Sequence, residues 1–203
     1  MRTLKLNRLS HLLILLSLPL LFSTKINAQQ FVEGFDGVPN LERHQVTLNL
    51  LGPGFTYELG ILKNLSVSGE FSPAYGIYQY GYTFGYAFNT RARFYINFDS
   101  RYNKGKNINY NSADFIAAAQ SMFWEPLQLF TNIDGPAENT LVFWGGVYGI
   151  QRSNDKGFNY NLELGYGYYE GIGGISSGHG PLLKFTIGWV ATNRGRNKVT
   201  KLN

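Results

Sequence analysis

The chain contains no cysteine. That excludes a disulfide framework and a lipoprotein attachment site. Three histidines, His11, His44 and His179, offer no metal-ligand cluster, and no cofactor or metal is expected. Charged residues make up only 15% of the chain. The apolar stretch from Leu12 to Phe22 has eleven residues, short of the roughly 20 that a membrane-spanning helix needs. A phosphate-binding loop is missing as well: Lys104-Gly105-Lys106 lacks the full glycine spacing and a following hydroxyl residue. Asn64-Leu65-Ser66 matches a glycosylation sequon but falls at a tight turn.

The N-terminus has the layout of a secretory signal. Arg2, Lys5 and Arg8 precede the apolar stretch, and Ile26-Asn27-Ala28 supplies a small residue for cleavage, so residues 1–28 are expected to be removed. The chain has 18 Lys and Arg against 13 Asp and Glu. Four of the bases (Arg2, Lys5, Arg8 and Lys25) and no acid leave with the signal, so 14 and 13 remain. The basic balance therefore belongs mostly to export, and no nucleic-acid partner is expected.

What the remainder does have is alternation. From Phe158 to Tyr168 every second residue is large and apolar or aromatic, while Asn159, Asn161, Glu163, Gly165 and Gly167 lie between. Successive side chains of a strand point to opposite faces, so this pattern sorts cleanly only in a strand. Eight such segments are predicted, at 44–51, 55–61, 65–72, 82–97, 111–123, 139–152, 158–169 and 181–192. The fifth contains Ala117-Ala118-Ala119, which would also suit a helix. Pro/Gly/Tyr-rich 73–81, basic 98–110, residues 124–138 and Gly-rich 170–180 read as connections, and Ser153–Gly157 as a hairpin turn. Residues 29–43 read as a flexible lead-in, 44–192 as the strand domain and 193–203 as a basic tail.

The expected fold is all-β, a closed antiparallel up-and-down transmembrane β-barrel of eight strands. Rows of bulky rings and aliphatic side chains cannot fill a bore just wide enough for side chains, so the rings are expected outside, with small polar residues and glycines inside. Glu58, Glu70, Arg91, Arg93, Asp114, Glu163 and Lys184 fall on the polar faces. Isolated charges in a narrow bore are costly, so a paired ionic plug is expected in which Arg91 and Arg93 meet some of Glu58, Glu70 and Glu163. Tyr75, Tyr78, Tyr80, Tyr82, Phe84 and Tyr86 read as an aromatic girdle at one membrane interface, with an unidentified surface ligand as the other reading.

The mature chain resembles the small outer-membrane β-barrels of the OmpA/OmpX type, and especially uncharacterised barrel proteins of Bacteroidetes. The carriers are Asn27-Ala28-Gln29, the Leu50-Leu51-Gly52-Pro53-Gly54-Phe55 turn, and Arg91-Ala92-Arg93-Phe94-Tyr95 leading to Lys104-Gly105-Lys106. The resemblance implies outer-membrane residence, contact with outer-membrane lipids and assembly by the barrel insertion machinery. It implies no reaction. One departure is that such barrels usually end on an aromatic residue, whereas here fourteen residues follow Trp189.

Three functional readings compete. The first is a non-enzymatic outer-membrane barrel with a structural or surface-interaction role. The second is a lipid-modifying barrel enzyme built on Glu170, Ser177 and His179 of the 170–179 loop, which holds the ingredients of acyl transfer but lacks the His-x-Ser-Asn signature of the lipid A deacylases. The third is a secreted soluble barrel with an apolar ligand inside.

Overall fold

The computed structural model describes residues 40–51, 53–78, 81–131, 140–172 and 177–192. The signal peptide, the lead-in up to residue 39, Tyr80 of the expected girdle and the basic tail lie outside the described residues. The strands are β1 (His44–Asn49), β2 (Gly54–Gly60), β3 (Leu65–Tyr78), β4 (Gly81–Tyr95), β5 (Asp114–Thr131), β6 (Thr140–Ser153), β7 (Phe158–Ile172) and β8 (Gly178–Val190). A short helix α1 (Phe98–Asn103) and a 3₁₀ turn (Asn109–Asn111) lie between β4 and β5. Each strand pairs antiparallel with the next, and β8 returns to β1 through Thr47↔Val190, Leu48↔Trp189 and Asn49↔Gly188. Hydrogen bonds thus ring through eight strands.

Several strands run further than alternation alone predicts. Residues 73–78 belong to β3 and pair down to Tyr78↔Gly81, so the expected 73–81 loop is mostly hairpin. Residues 124–131 extend β5, and both arms of the expected 170–180 loop extend β7 and β8. Proline placement explains how. Pro73 lies where β3 has passed the end of its pairing with β2, at Phe55↔Phe71. Pro181 lies where β8 is still above its pairing with β1. Pro126 falls in a stretch of β5 where the register against β4 shifts, opposite Phe84–Ala87. Proline is tolerated in such one-sided or bulged positions because no ladder bond depends on its missing N–H. Ala117–Ala119 form strand, since β4 and β6 offer partners on both sides and tertiary pairing overrides helix propensity.

The basic connection after β4 also folds. Phe98 and Ile108 are buried together with Leu41 and Ala113, so this segment packs into the end of the barrel from which it emerges. At the β6–β7 turn, Asn154 Oδ1 accepts from the N–H groups of Lys156 and Phe158, both at 2.9 Å, and Gly157 takes φ 88°, a left-handed conformation that favours glycine.

The two faces of the wall differ sharply. Outward positions hold Phe55, Phe88, Phe94, Leu164, Tyr166, Leu183 and Trp189, all exposed. Inward positions hold the buried polar and charged residues, but not those alone. Tyr95 and Phe115 are fully buried inside, which corrects the expectation of a purely small and polar interior, and so is Phe143, which the alternation of 139–152 turns inward. Glycines on the facing strands make the space. A Cβ on Gly149 would lie 2.1 Å from the Phe115 ring, and one on Gly167 would lie 2.9 Å from Phe143.

Gly149→Ala is therefore expected to destabilise the fold by about 1–3 kcal/mol through overpacking, whereas Gly146→Ala, whose Cβ meets nothing within 4 Å, is expected to be neutral. Thermal unfolding followed by circular dichroism tests this pair, and equal midpoints for the two variants would contradict it.

Candidate functional site

The inward rows of β2, β3, β4, β7 and β8 bring six charged residues into the bore. On β4 the period of two turns Arg91, Arg93 and Tyr95 inward together. Their partners on β5 are small: Arg91 faces Ala119 and Arg93 faces Ala117, which leaves room for two guanidinium groups.

Arg93 is the hub. Its Nη1 lies 3.1 Å from Glu58 Oε2 on β2, and its Nη2 lies 3.2 Å from Glu163 Oε1 on β7. Nη1 also donates to Gln151 Oε1 on β6 at 3.1 Å, and the guanidinium stands 4.6 Å from the centre of the Phe115 ring. Arg91 Nε donates to Glu163 Oε2 at 3.0 Å, while Nη1 reaches the carbonyls of Thr90 and Gln120 and Nη2 reaches Ser121 Oγ. Glu58 Oε1 collects Tyr95 OH and Ser66 Oγ, each at 2.7 Å, and Asn111 Nδ2 at 3.0 Å. Asn161 Nδ2 donates to Glu163 Oε1 at 3.0 Å. Charge-assisted bonds of this kind are the stronger ones, and burial makes each partner necessary to the next.

A second cluster sits beside the two short strands. Lys184 of β8 reaches past β1 and β2 to pair with Glu70 of β3. Glu70 also accepts from Thr56 Oγ1 at 3.1 Å and Ser72 Oγ at 2.6 Å. Three carboxylates thus meet three bases, all of them spent on one another.

Asp114 does not join them. It alternates with the inward Phe115 and lies on the outer side, where its carboxylate pairs with Arg152 and accepts from Tyr148 OH at 3.1 Å and Asn97 Nδ2 at 2.7 Å. The assignment of Asp114 to the bore is corrected by strand parity: β5 begins at this residue, and its inward row is 115, 117, 119 and 121. Arg152, its partner, follows the inward Gln151, so alternation alone marks it as outward.

Asn111 carried no sequence signal, since it sits in a connection. Tyr110 and Asn111 adopt φ 54° and 56°, a left-handed pair that asparagine tolerates and tyrosine rarely adopts. The result aims the Asn111 side chain inward, where its Oδ1 also accepts from the Glu42 N–H at 2.7 Å. Residues 41 and 42, expected in the lead-in, are buried here.

The acyl-transfer candidates lie at the opposite rim. Glu170 is exposed near the end of β7, and Ser177 immediately precedes β8, its Oγ accepting from the Gly171 N–H at 3.0 Å. His179 lies against two tyrosine rings, with centroids 6.5 Å from Tyr166 and 5.1 Å from Tyr168. Among the described residues no hydrogen bond joins Glu170, Ser177 and His179, and no group of three potential ligands gathers that could hold a metal. Of the aromatic-rich segment, Tyr75 and Tyr82 pack together at 5.9 Å and Phe71 stacks on Tyr86 at 4.9 Å.

Comparison with known proteins gave no match to a family model, to a curated protein or to a solved structure.

Removing Glu163 would take the one carboxylate paired with Arg91 and one of the two paired with Arg93, both buried, so Glu163→Ala is expected to cost about 3–5 kcal/mol. Lys184→Met is expected to cost less, because Glu70 keeps the Thr56 and Ser72 hydroxyls. Urea unfolding followed by tryptophan fluorescence measures both, and equal losses would contradict the central place of Arg93 and Glu163.

Proposed function

We propose that this chain is an integral β-barrel of the bacterial outer membrane, reached after cleavage of the signal peptide. Its role is structural or surface-interacting and non-enzymatic, and its bore is filled by an ionic network instead of an open pore. The observation that carries this reading is the inversion of the wall. Leu164, Tyr166 and Leu183 are 61%, 64% and 74% exposed, while Glu163 is fully buried. Soluble monomers rarely expose contiguous apolar patches beyond a few hundred Å², and an outward apolar band is what a membrane barrel presents to lipid.

Other features support it. A closed ring satisfies its backbone internally, as hydrocarbon demands. Strands β3 to β8 have 13 to 18 residues, beyond the roughly 9–11 that a tilted strand needs to cross. The shorter β1 and β2, with 6 and 7, cross only part of that depth. Exposed rings stand at both ends, Tyr75 and Tyr82 at one and Tyr57, Tyr160 and Trp189 at the other, as interfacial girdles do. The partners of such a protein are outer-membrane lipids and the barrel insertion machinery.

The protein is expected to fractionate with outer membranes and to migrate differently on a detergent gel before and after boiling. A soluble periplasmic protein with no such shift would overturn the reading and favour a soluble ligand-binding barrel. In planar bilayers no stable large conductance is expected, and one would refute the filled bore. Ser177→Ala and His179→Ala are expected to leave the lipid A mass spectrum unchanged; an altered acylation pattern would move the enzymatic reading to first place.

A further inference from the structure

A shallow groove of about 790 Å³ crosses the outer faces of β4 to β7. Its floor is Ala92, Ala118 and Gly146, neighbours in the ladder through Ala92↔Ala118 and Ala118↔Gly146. Phe94, Ile116 and Tyr148 flank it. Higher on the same wall the facing outward pair is Phe88↔Met122, so the three small residues make a local hollow. Just above the floor, Thr90 Oγ1 donates to Gln120 Oε1 at 2.9 Å, which closes the groove with a satisfied polar pair.

The other end runs toward charge. Tyr148, from the groove wall, donates to Asp114, which in turn holds Arg152. Arg101 of α1 is tied to the same corner through Asn107, whose carbonyl accepts from Arg101 Nη2 and whose Nδ2 donates to the carbonyl of Ser153, the residue after Arg152. Burial, and then the Arg152 charge, pull the Arg101 pKa below its ordinary value, against the weaker opposing pull of Asp114. Arg101 Nη2 donates to the Asn107 carbonyl, while its buried Nε has no hydrogen-bond partner among the described residues. Lys104 and Lys106, both exposed, follow on the same segment. At the foot of the apolar trough Asp114 is thus spent on Arg152 and Asp155 accepts from Asn107 and Asn109, while Arg101 pairs with no carboxylate among the described residues.

We infer that this groove holds an acyl chain of one anionic phospholipid, with its phosphate at Arg101 and Arg152. The inference rests on the membrane reading above. Charge complementarity selects the occupant: the trough takes the chain and the uncompensated cation takes the head. A second copy of the chain fits worse. Related by a two-fold axis, the patch would meet itself, hollow against hollow.

The test is native mass spectrometry of the purified full chain in mild detergent, with phosphatidylglycerol or phosphatidylcholine of identical acyl chains. Retention of one phosphatidylglycerol is expected, at least about fivefold above phosphatidylcholine. Gly146→Phe fills the trough from a position where a Cβ meets nothing within 4 Å. It and Arg101→Gln are each expected to reduce that retention by at least about fivefold, and Arg101→Lys is expected to restore much of it. Equal retention of the two lipids, unchanged retention in both variants, or a dimer that Gly146→Phe abolishes would overturn the inference. The same samples are run on a gel with and without boiling. A heat shift with no lipid preference overturns the groove assignment alone, and no heat shift in the parent protein overturns both readings.

Discussion

Arg93 occupies a position where almost nothing is optional. It sits on β4, and its two terminal nitrogens are held by carboxylates from β2 and β7. A single fully buried guanidinium thus ties three separated parts of the ring, while Gln151 brings in β6 and Glu58 carries the bond on to Ser66 and Asn111. Desolvating these ions is expensive, and their mutual pairing offsets it, with Arg93 Nε alone of that guanidinium left without a partner among the described residues. Slipping β4 by one residue would turn Arg91, Arg93 and Tyr95 outward together and leave both glutamates unmatched. The register of the central strands and the identity of the buried charges are one constraint seen from two sides.

Much of this was legible because the period of two is so regular. Alternation located all eight strands and set Arg91 and Arg93 on one face with Glu58, Glu70 and Glu163, without saying which acid meets which base. It failed where the physics is not periodic. Pro73, Pro126 and Pro181 read as loop markers, yet each sits at a one-sided or bulged position where a strand does not miss the N–H. Asp114 has the polarity of an inward residue but the parity of an outward one, one position before the inward Phe115. Tyr95 and Phe115 are aromatic residues inside a bore expected to be polar, and Phe115 is admitted by Gly149 opposite it, which the sequence shows but does not align. Asn111 depends on a left-handed backbone in a connection, which no spacing rule reveals.

The segment between β4 and β5 unites two observations that look unrelated. It is too long and too basic for a tight turn, and it carries the apolar residues Phe98 and Ile108. Both properties follow from closing an end of the barrel. The apolar side chains pack against Leu41 and Phe115 in the interior, and the basic ones stay at the rim, where Lys63 meets Asp99 at 3.0 Å and Arg101 Nη2 donates to the Asn107 carbonyl at 2.8 Å. Polar groups fasten the segment as well: Asn107 Nδ2 donates to the Ser153 carbonyl at 2.8 Å, and Asn97 Nδ2 to Asp114.

The junction of β1 with β8 joins only three residue pairs, against fourteen between β3 and β4. It is also the one contact in the ring between strands from opposite ends of the chain. Hairpins form from neighbours, so β3–β4 and β6–β7 need close only short loops, whereas the β1–β8 junction must bring together residues some 140 positions apart. In chain entropy the long hairpins are therefore the cheap part of the cylinder and its thinnest line the costly one. Lys184 and Glu70 reinforce that line from within, joining β8 to β3 across the two short strands between them.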